Sequence, residues 1–216
     1  YDLVFFCNPN NPRGISVSRE EVLRAARACE RAGTFLAVDE CFLEFLEDGK
    51  ERSLIPSLGD LPGVMVFGAF TKMYAMAGLR LGYCLCSEEA LLEKMFRQRQ
   101  PWAVSGPAQA AGTAALQEKE YRGKSRRLIG REREYLAGAL KGLGFRVYPS
   151  QANYLFFKDG GKRPERWLYE ALLSRGILIR SCGNYPGLDG SFYRICVKGR
   201  EENERLIREI GRLGAE

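Results

Sequence analysis

Short apolar runs separated by polar, glycine- and proline-rich stretches set the rhythm of this chain. Leu3-Val4-Phe5-Phe6, Phe35-Leu36-Ala37-Val38, Val64-Met65-Val66-Phe67 and the run from Leu81 to Cys86 are of strand length, rich in β-branched and aromatic residues, and too short for buried helices. They predict buried strands. After the first, Ser18 with Glu21 has capping-box spacing, Val22, Cys29 and intervening alanines recur on one face, and Gly33 supplies a helix stop. Strand, helix, strand predicts a βαβ unit with a parallel sheet. Further on, Ser87 reads as the cap of a helix through Leu91, Leu92, Met95 and Phe96. Pro101-Trp102 breaks it, and Pro107 opens another helix toward Leu116. Arg126 to Leu143 predicts one long amphipathic helix with Leu128, Tyr135, Leu136, Ala139 and Leu143 inward.

From Gly144 the rhythm changes. Phe145–Tyr148, Asn153–Phe157, Ile177–Ile179 and Phe192–Val197 predict short strands, and Trp167–Leu173 and Glu201–Leu213 predict helices. The expected fold class is α/β: a mainly parallel sheet with flanking helices over residues 1–118, a connecting helix over 119–143, and a small α+β domain over 144–216.

Composition narrows the function classes. The chain has 216 residues, 45% hydrophobic and 28% charged, which is globular usage. The net charge of +6 is scattered. The basic run from Arg122 to Arg133 reads as a solvated helix face, and no stripe of cations alternates with aromatics, so no nucleic-acid partner is expected. No run has the length of a membrane span, and no signal peptide is visible. Seven cysteines without a CxxC pair read as buried thiols in a reducing, cytoplasmic compartment. The absence of histidine removes histidine triads and most zinc sites, and no metal is expected. The chain opens at Tyr1 and enters a strand at once, so we expect an N-terminal part to be missing.

The polar residues at the strand ends carry the chemistry. Asn11 follows the first strand, Asp39 the second and Lys72 the third, at the edge where open α/β sheets bind ligands, with Arg80 opposite. Thr71, Lys72 and Arg80 suit one task, holding a phosphate beside an amine. A lysine sheltered from water loses proton affinity and can attack a carbonyl. A phosphate and an aldehyde on one small molecule describe pyridoxal phosphate. The plainer alternative is a surface lysine and an ordinary loop arginine.

Four motifs in order then resemble one family. Asn8-Pro9-Asn10-Asn11-Pro12-Arg13-Gly14 is similar to the NPNNPTG signature of fold type I pyridoxal-phosphate enzymes, the class I and II aminotransferase superfamily. Val38-Asp39-Glu40-Cys41-Phe42 resembles their DEAY segment, Thr71-Lys72 through Gly82 their SK…GLRLG segment, and Tyr193-Arg194-Ile195 their late arginine strand. The resemblance implies that Lys72 bonds the cofactor and Asp39 pairs with its ring nitrogen, making the ring an electron sink. Asn11 would bind the ring's phenolic oxygen, Thr71 and Arg80 the phosphate, and Arg194 the substrate carboxylate. The segment from Ile177 to Gly190 resembles threonine-phosphate decarboxylases of cobalamin biosynthesis and makes Arg180 the candidate for the substrate's own phosphate. The implied function is decarboxylation of L-threonine O-3-phosphate to aminopropanol phosphate, with a histidinol-phosphate aminotransferase as the alternative. The implied partners are a small phosphorylated amino acid and, for the whole protein, a second copy in a homodimer.

This sequence departs from the family pattern in three places. Phe42 stands for a tyrosine, Ala69 for a hydroxylated residue, and the family's earlier half, with its phosphate loop and stacking aromatic, is absent. On that ground a non-catalytic piece is the rival of another class, and these 216 residues alone are expected to be inactive.

Overall fold

The computed structural model describes residues 1–161 and 163–215. The chain folds as two compact units, one formed by Tyr1–Asn10 and Ser16–Ser125, the other by Asn11–Ile15 and the chain from Arg126 onward.

In the first unit β1 (Leu3–Cys7), β2 (Phe35–Asp39) and β3 (Val64–Ala69) run parallel in that order, and β4 (Gly82–Cys86) joins β3 antiparallel. The crossover helix α1 (Arg19–Arg31) starts as its sequence dictates. The Ser18 hydroxyl accepts from the Glu21 N–H, and Glu21 Oε2 accepts from the Ser18 N–H at 2.8 Å. Gly33, at φ +67°, ends it in the left-handed conformation that a Cβ disfavours. Val22 and Ala26 pack on one sheet face against Leu36, Val38, Val64 and Val66.

The edge strands are wetter than their apolar composition predicts. Phe5 is 70% exposed and Tyr83 42%. β1 and β4 each have one strand neighbour among the described residues, so their outward side chains lack a second partner. A one-turn helix α2 (Gly49–Arg52) lies between β2 and β3, and another, α3 (Phe70–Met73), follows β3 directly. Beyond β4, α4 (Glu89–Gln98) begins at Glu88 without a side-chain cap, rather than at Ser87. Its Met95 and Phe96 face outward. α5 (Gly106–Gln117) is capped by Ser105 with proline in its first turn.

α6 (Lys119–Gly142) covers the connecting helix expected over 119–143 and starts about two turns before the amphipathic stretch read from Arg126. Its buried stripe is Glu132, Leu136 and Leu140; of the predicted inward residues Leu136 is buried and Tyr135 packs against the core, whereas Leu128 and Leu143 are exposed. The stripe was hidden because its first member is a carboxylate. Glu132 is fully buried, and Arg200 and Asn203 reach it. Arg200 Nε lies 3.0 Å and Asn203 Nδ2 3.2 Å from Glu132 Oε2. The basic run is therefore not wholly a solvated face.

The second unit holds an antiparallel sheet in the order β5-β6-β8-β7: β5 (Arg146–Val147), β6 (Tyr154–Lys158), β8 (Phe192–Cys196) and β7 (Arg180–Ser181). β7 replaces the strand predicted at Ile177–Ile179. One sheet face, with Leu155, Phe157, Tyr193 and Ile195, joins a core with Leu136 and Leu140 of α6, Leu168 and Leu172 of α7 (Trp167–Ser174), and Leu206 and Ile210 of α8 (Arg200–Ala215).

Candidate active site

Asp39 is the last residue of β2 rather than a residue beyond it. Its Oδ1 accepts from the Cys41 N–H at 2.8 Å, which fixes the carboxylate at the strand end. Parallel register places Cys7 beside it. Burial, and next the Asp39 hydrogen bond and charge, push the Cys41 thiol up to about 12. Burial first and Asp39 second also raise Cys7. Neither thiol is therefore a ready thiolate.

Thr71 and Lys72 stand on α3, immediately after β3, because the strand ends at Ala69 and the chain turns at once into a helical turn. Lys72 is exposed, so the shelter anticipated from sequence is not supplied by the described residues. Its Nζ lies 5.4 Å from the Phe42 ring centroid, within cation–π range. Arg80 follows a short turn at φ +55° and donates from Nη1 to the Ala77 carbonyl at 3.0 Å. A carboxylate, an amine, a hydroxyl and a guanidinium thus occupy the ends of β2 and β3 and the turn before β4.

Asn11 parts from this set. Asn8 is the residue that sequence reasoning missed. Its amide closes on Val17, Oδ1 accepting from the Val17 N–H at 2.9 Å, and residues 11–15 between them belong to the second unit. There the Gln151 N–H donates to the Gly14 carbonyl at 2.7 Å, and Asn11 Oδ1 accepts from Arg194 Nη1. Arginine only donates, so the Asn11 oxygen must face it, and the amide Nδ2 is left to donate elsewhere.

Arg194 on β8 lies directly across from Arg180 on β7, and cross-strand partners share a face. Like charges directly opposite repel. Arg180 is held by Asn184 Oδ1 at 2.9 Å, and Arg194 Cζ stands 5.1 Å from the Tyr154 ring centroid. Two adjacent guanidiniums, with no ion pair to a carboxylate among the described residues, fit a ligand with two anionic groups.

The aminotransferase class I and II family matches residues 1–210. The chain belongs to this family. It is 39% identical to the threonine-phosphate decarboxylase of Salmonella typhimurium over 95% of this chain and 56% of that protein. The histidinol-phosphate aminotransferase of Clostridium acetobutylicum superposes with a TM-score of 0.92 at 29% identity, over 99% of this chain and 64% of that one. A histidinol-phosphate aminotransferase from Sinorhizobium meliloti, solved with pyridoxal-5'-phosphate, superposes at 0.84 with 27% identity, over 98% of this chain and 58% of that one. The chain thus spans little more than half the length of the curated decarboxylase it matches. The cofactor of the family is pyridoxal phosphate.

The family member's residues fit that cofactor chemically. Lys72 offers an amine, Asp39 a carboxylate already oriented by the Cys41 N–H, and Thr71 and Arg80 offer phosphate donors. Phe42 offers an apolar ring face beside Lys72 and no hydrogen bond donor. No helix among the described residues is long and apolar enough to cross a membrane.

Proposed function

We propose that the protein carrying this chain is a pyridoxal-phosphate enzyme that decarboxylates O-phospho-L-threonine. When bound, the cofactor supplies an electron sink for the pair released from the α-carbon. Lys72 holds it covalently through Nζ. Asp39 holds a proton on its ring nitrogen, and the Cys41 N–H keeps the carboxylate aimed. Thr71 and Arg80 take its phosphate. Asn11, which accepts from Arg194, would donate from Nδ2 to its phenolic oxygen. Arg194 grips the substrate carboxylate and Arg180 its phosphate. The soluble homodimer expected for the whole protein belongs to the same proposal.

The observation that carries the reading is the Arg180–Arg194 pair, opposite one another on β7 and β8, in a chain 39% identical to a threonine-phosphate decarboxylase. A dianionic amino-acid phosphate needs two such donors. The second reading, transamination of histidinol phosphate, is supported by the TM-score of 0.92 to an enzyme of that name. The two differ in which bond at the α-carbon is broken, that to the carboxylate or that to hydrogen.

The test is product analysis with the gene product that carries this chain. O-phosphothreonine is expected to yield carbon dioxide and aminopropanol phosphate without an added keto acid. Arg180→Ala is expected to raise KM for the phosphorylated substrate by about tenfold or more, as loss of a charge-assisted hydrogen bond implies. Amino transfer from histidinol phosphate to 2-oxoglutarate, with no carbon dioxide from O-phosphothreonine, would replace the first reading by the second.

A further inference from the structure

No stretch of the sequence alternates cations with aromatics, but the second unit assembles such a surface from separate strands. Cross-strand register puts Phe156 and Arg194 with Arg180 in one row, and Arg146, Lys158 and Phe192 in the next. Residues two apart share a face, so both rows lie on the sheet face opposite the helices. Tyr148, two beyond Arg146, extends the first row. Its N–H donates to the Phe156 carbonyl at 3.0 Å.

The rings form one cluster. Centroids lie 5.1 Å apart for Tyr148–Phe156, 5.4 Å for Phe156–Phe192 and 6.4 Å for Tyr148–Phe192. Three cations gather on it. Arg13 Cζ and Arg146 Cζ stand 5.7 and 5.1 Å from the Tyr148 centroid, and Lys158 Nζ stands 4.7 Å from the Phe192 centroid. None of the three has an ion-pair partner among the described residues. The one carboxylate shown to feel Lys158 is Asp189, and it already accepts from the Ser191 N–H at 2.9 Å and from the Ser191 hydroxyl.

Three like charges around one ring cluster repel each other. Ring quadrupoles and apolar stems hold them in place without neutralising them. We propose that Arg13, Arg146 and Lys158 form a second anion site, distinct from the Arg180–Arg194 pair, that binds a phosphate dianion, free or as a small monoester. The cations themselves cover ring faces, so the ligand is recognised by charge and N–H donors rather than by stacking. That excludes a requirement for a nucleobase and separates this surface from a single-strand binding platform. The proposal does not depend on the reaction assigned above.

The experiment is calorimetric titration of the full chain at low salt with inorganic phosphate and, separately, O-phosphothreonine. In Arg13→Gln/Arg146→Gln/Lys158→Gln one class of phosphate sites is expected to weaken by about tenfold or more, while the class that depends on Arg180 and Arg194 persists. Binding of both probes identifies free phosphate and ester alike, and binding of the monoester alone identifies the ester. Lys158→Gln and Lys158→Arg, paired, guard against a triple variant that does not fold. The glutamine is expected to weaken binding and the arginine to preserve it. Unchanged phosphate binding in the folded triple variant, or in Lys158→Gln, overturns the proposal. A single-stranded oligonucleotide that outcompetes phosphate at these residues overturns the ligand class.

Discussion

Glu132 shows how one residue can mislead a pattern. It occupies the core position of α6 that a leucine usually fills, and its burial is tolerated because Arg200 and Asn203 reach both oxygens. The Arg200 hydrogen bonds hold its carboxyl below the usual range. A carboxyl depressed in the folded state contributes stability above its unfolded pKa, and that contribution is lost as pH falls through the folded value. Glu132→Gln is therefore expected to lower the melting temperature at pH 7 and to lower it much less in the acid range below the ordinary glutamate pKa. Thermal melts across that range check it; a constant difference at every pH would remove the charge from the account. Nothing in the sequence marks this pairing, since the partners are 68 and 71 residues away. By contrast Asp39 and Lys72 were legible as chemistry-bearing residues because each comes just after an apolar run, and Arg80 because it stands directly before one. The exposure of Lys72 was not legible, because shelter depends on what surrounds an element, not on the element itself.

At the scale of elements, the strongly periodic segments were readable and the interrupted ones were not. α1 was legible down to its cap because Ser18, Glu21 and Gly33 are local signals. β7 slipped three residues from the predicted run because Ile177 and Leu178 obey no strand partner, and pairing with β8 begins only at Arg180. The excursion of residues 11–15 was invisible, since it rests on the closure of Asn8 against Val17 and on Gly14. Gly14 has φ +74°, and a Cβ there would fall on Ser150 Oγ. Gly14→Ala is expected to cost roughly 1–3 kcal/mol and to loosen the Asn11–Arg194 bond. Denaturant unfolding, together with weakened anion binding by Arg194, reports both effects; an unchanged midpoint would show that the loop carries no such constraint. In the core, Leu136→Ala removes a fully buried side chain and is expected to cost about 2–5 kcal/mol by the same measurement.

At the scale of the molecule, the fold class followed from strand–helix alternation, and the family from four motifs in order. The division of labour between units did not. The first unit carries the amine, carboxylate, hydroxyl and guanidinium assigned to the cofactor, and the second carries the arginines assigned to the substrate. Asn11 belongs by sequence to the first motif and by structure to the second unit, and an edge-of-sheet argument could not foresee that. The central claim is that Lys72 alone bonds the cofactor. It is tested most directly by loading the gene product with pyridoxal phosphate, reducing with borohydride and mapping peptides. The account predicts a stoichiometric label on the Lys72 peptide that disappears in Lys72→Ala. A label that stays in that variant, or that resides on another lysine, would contradict it.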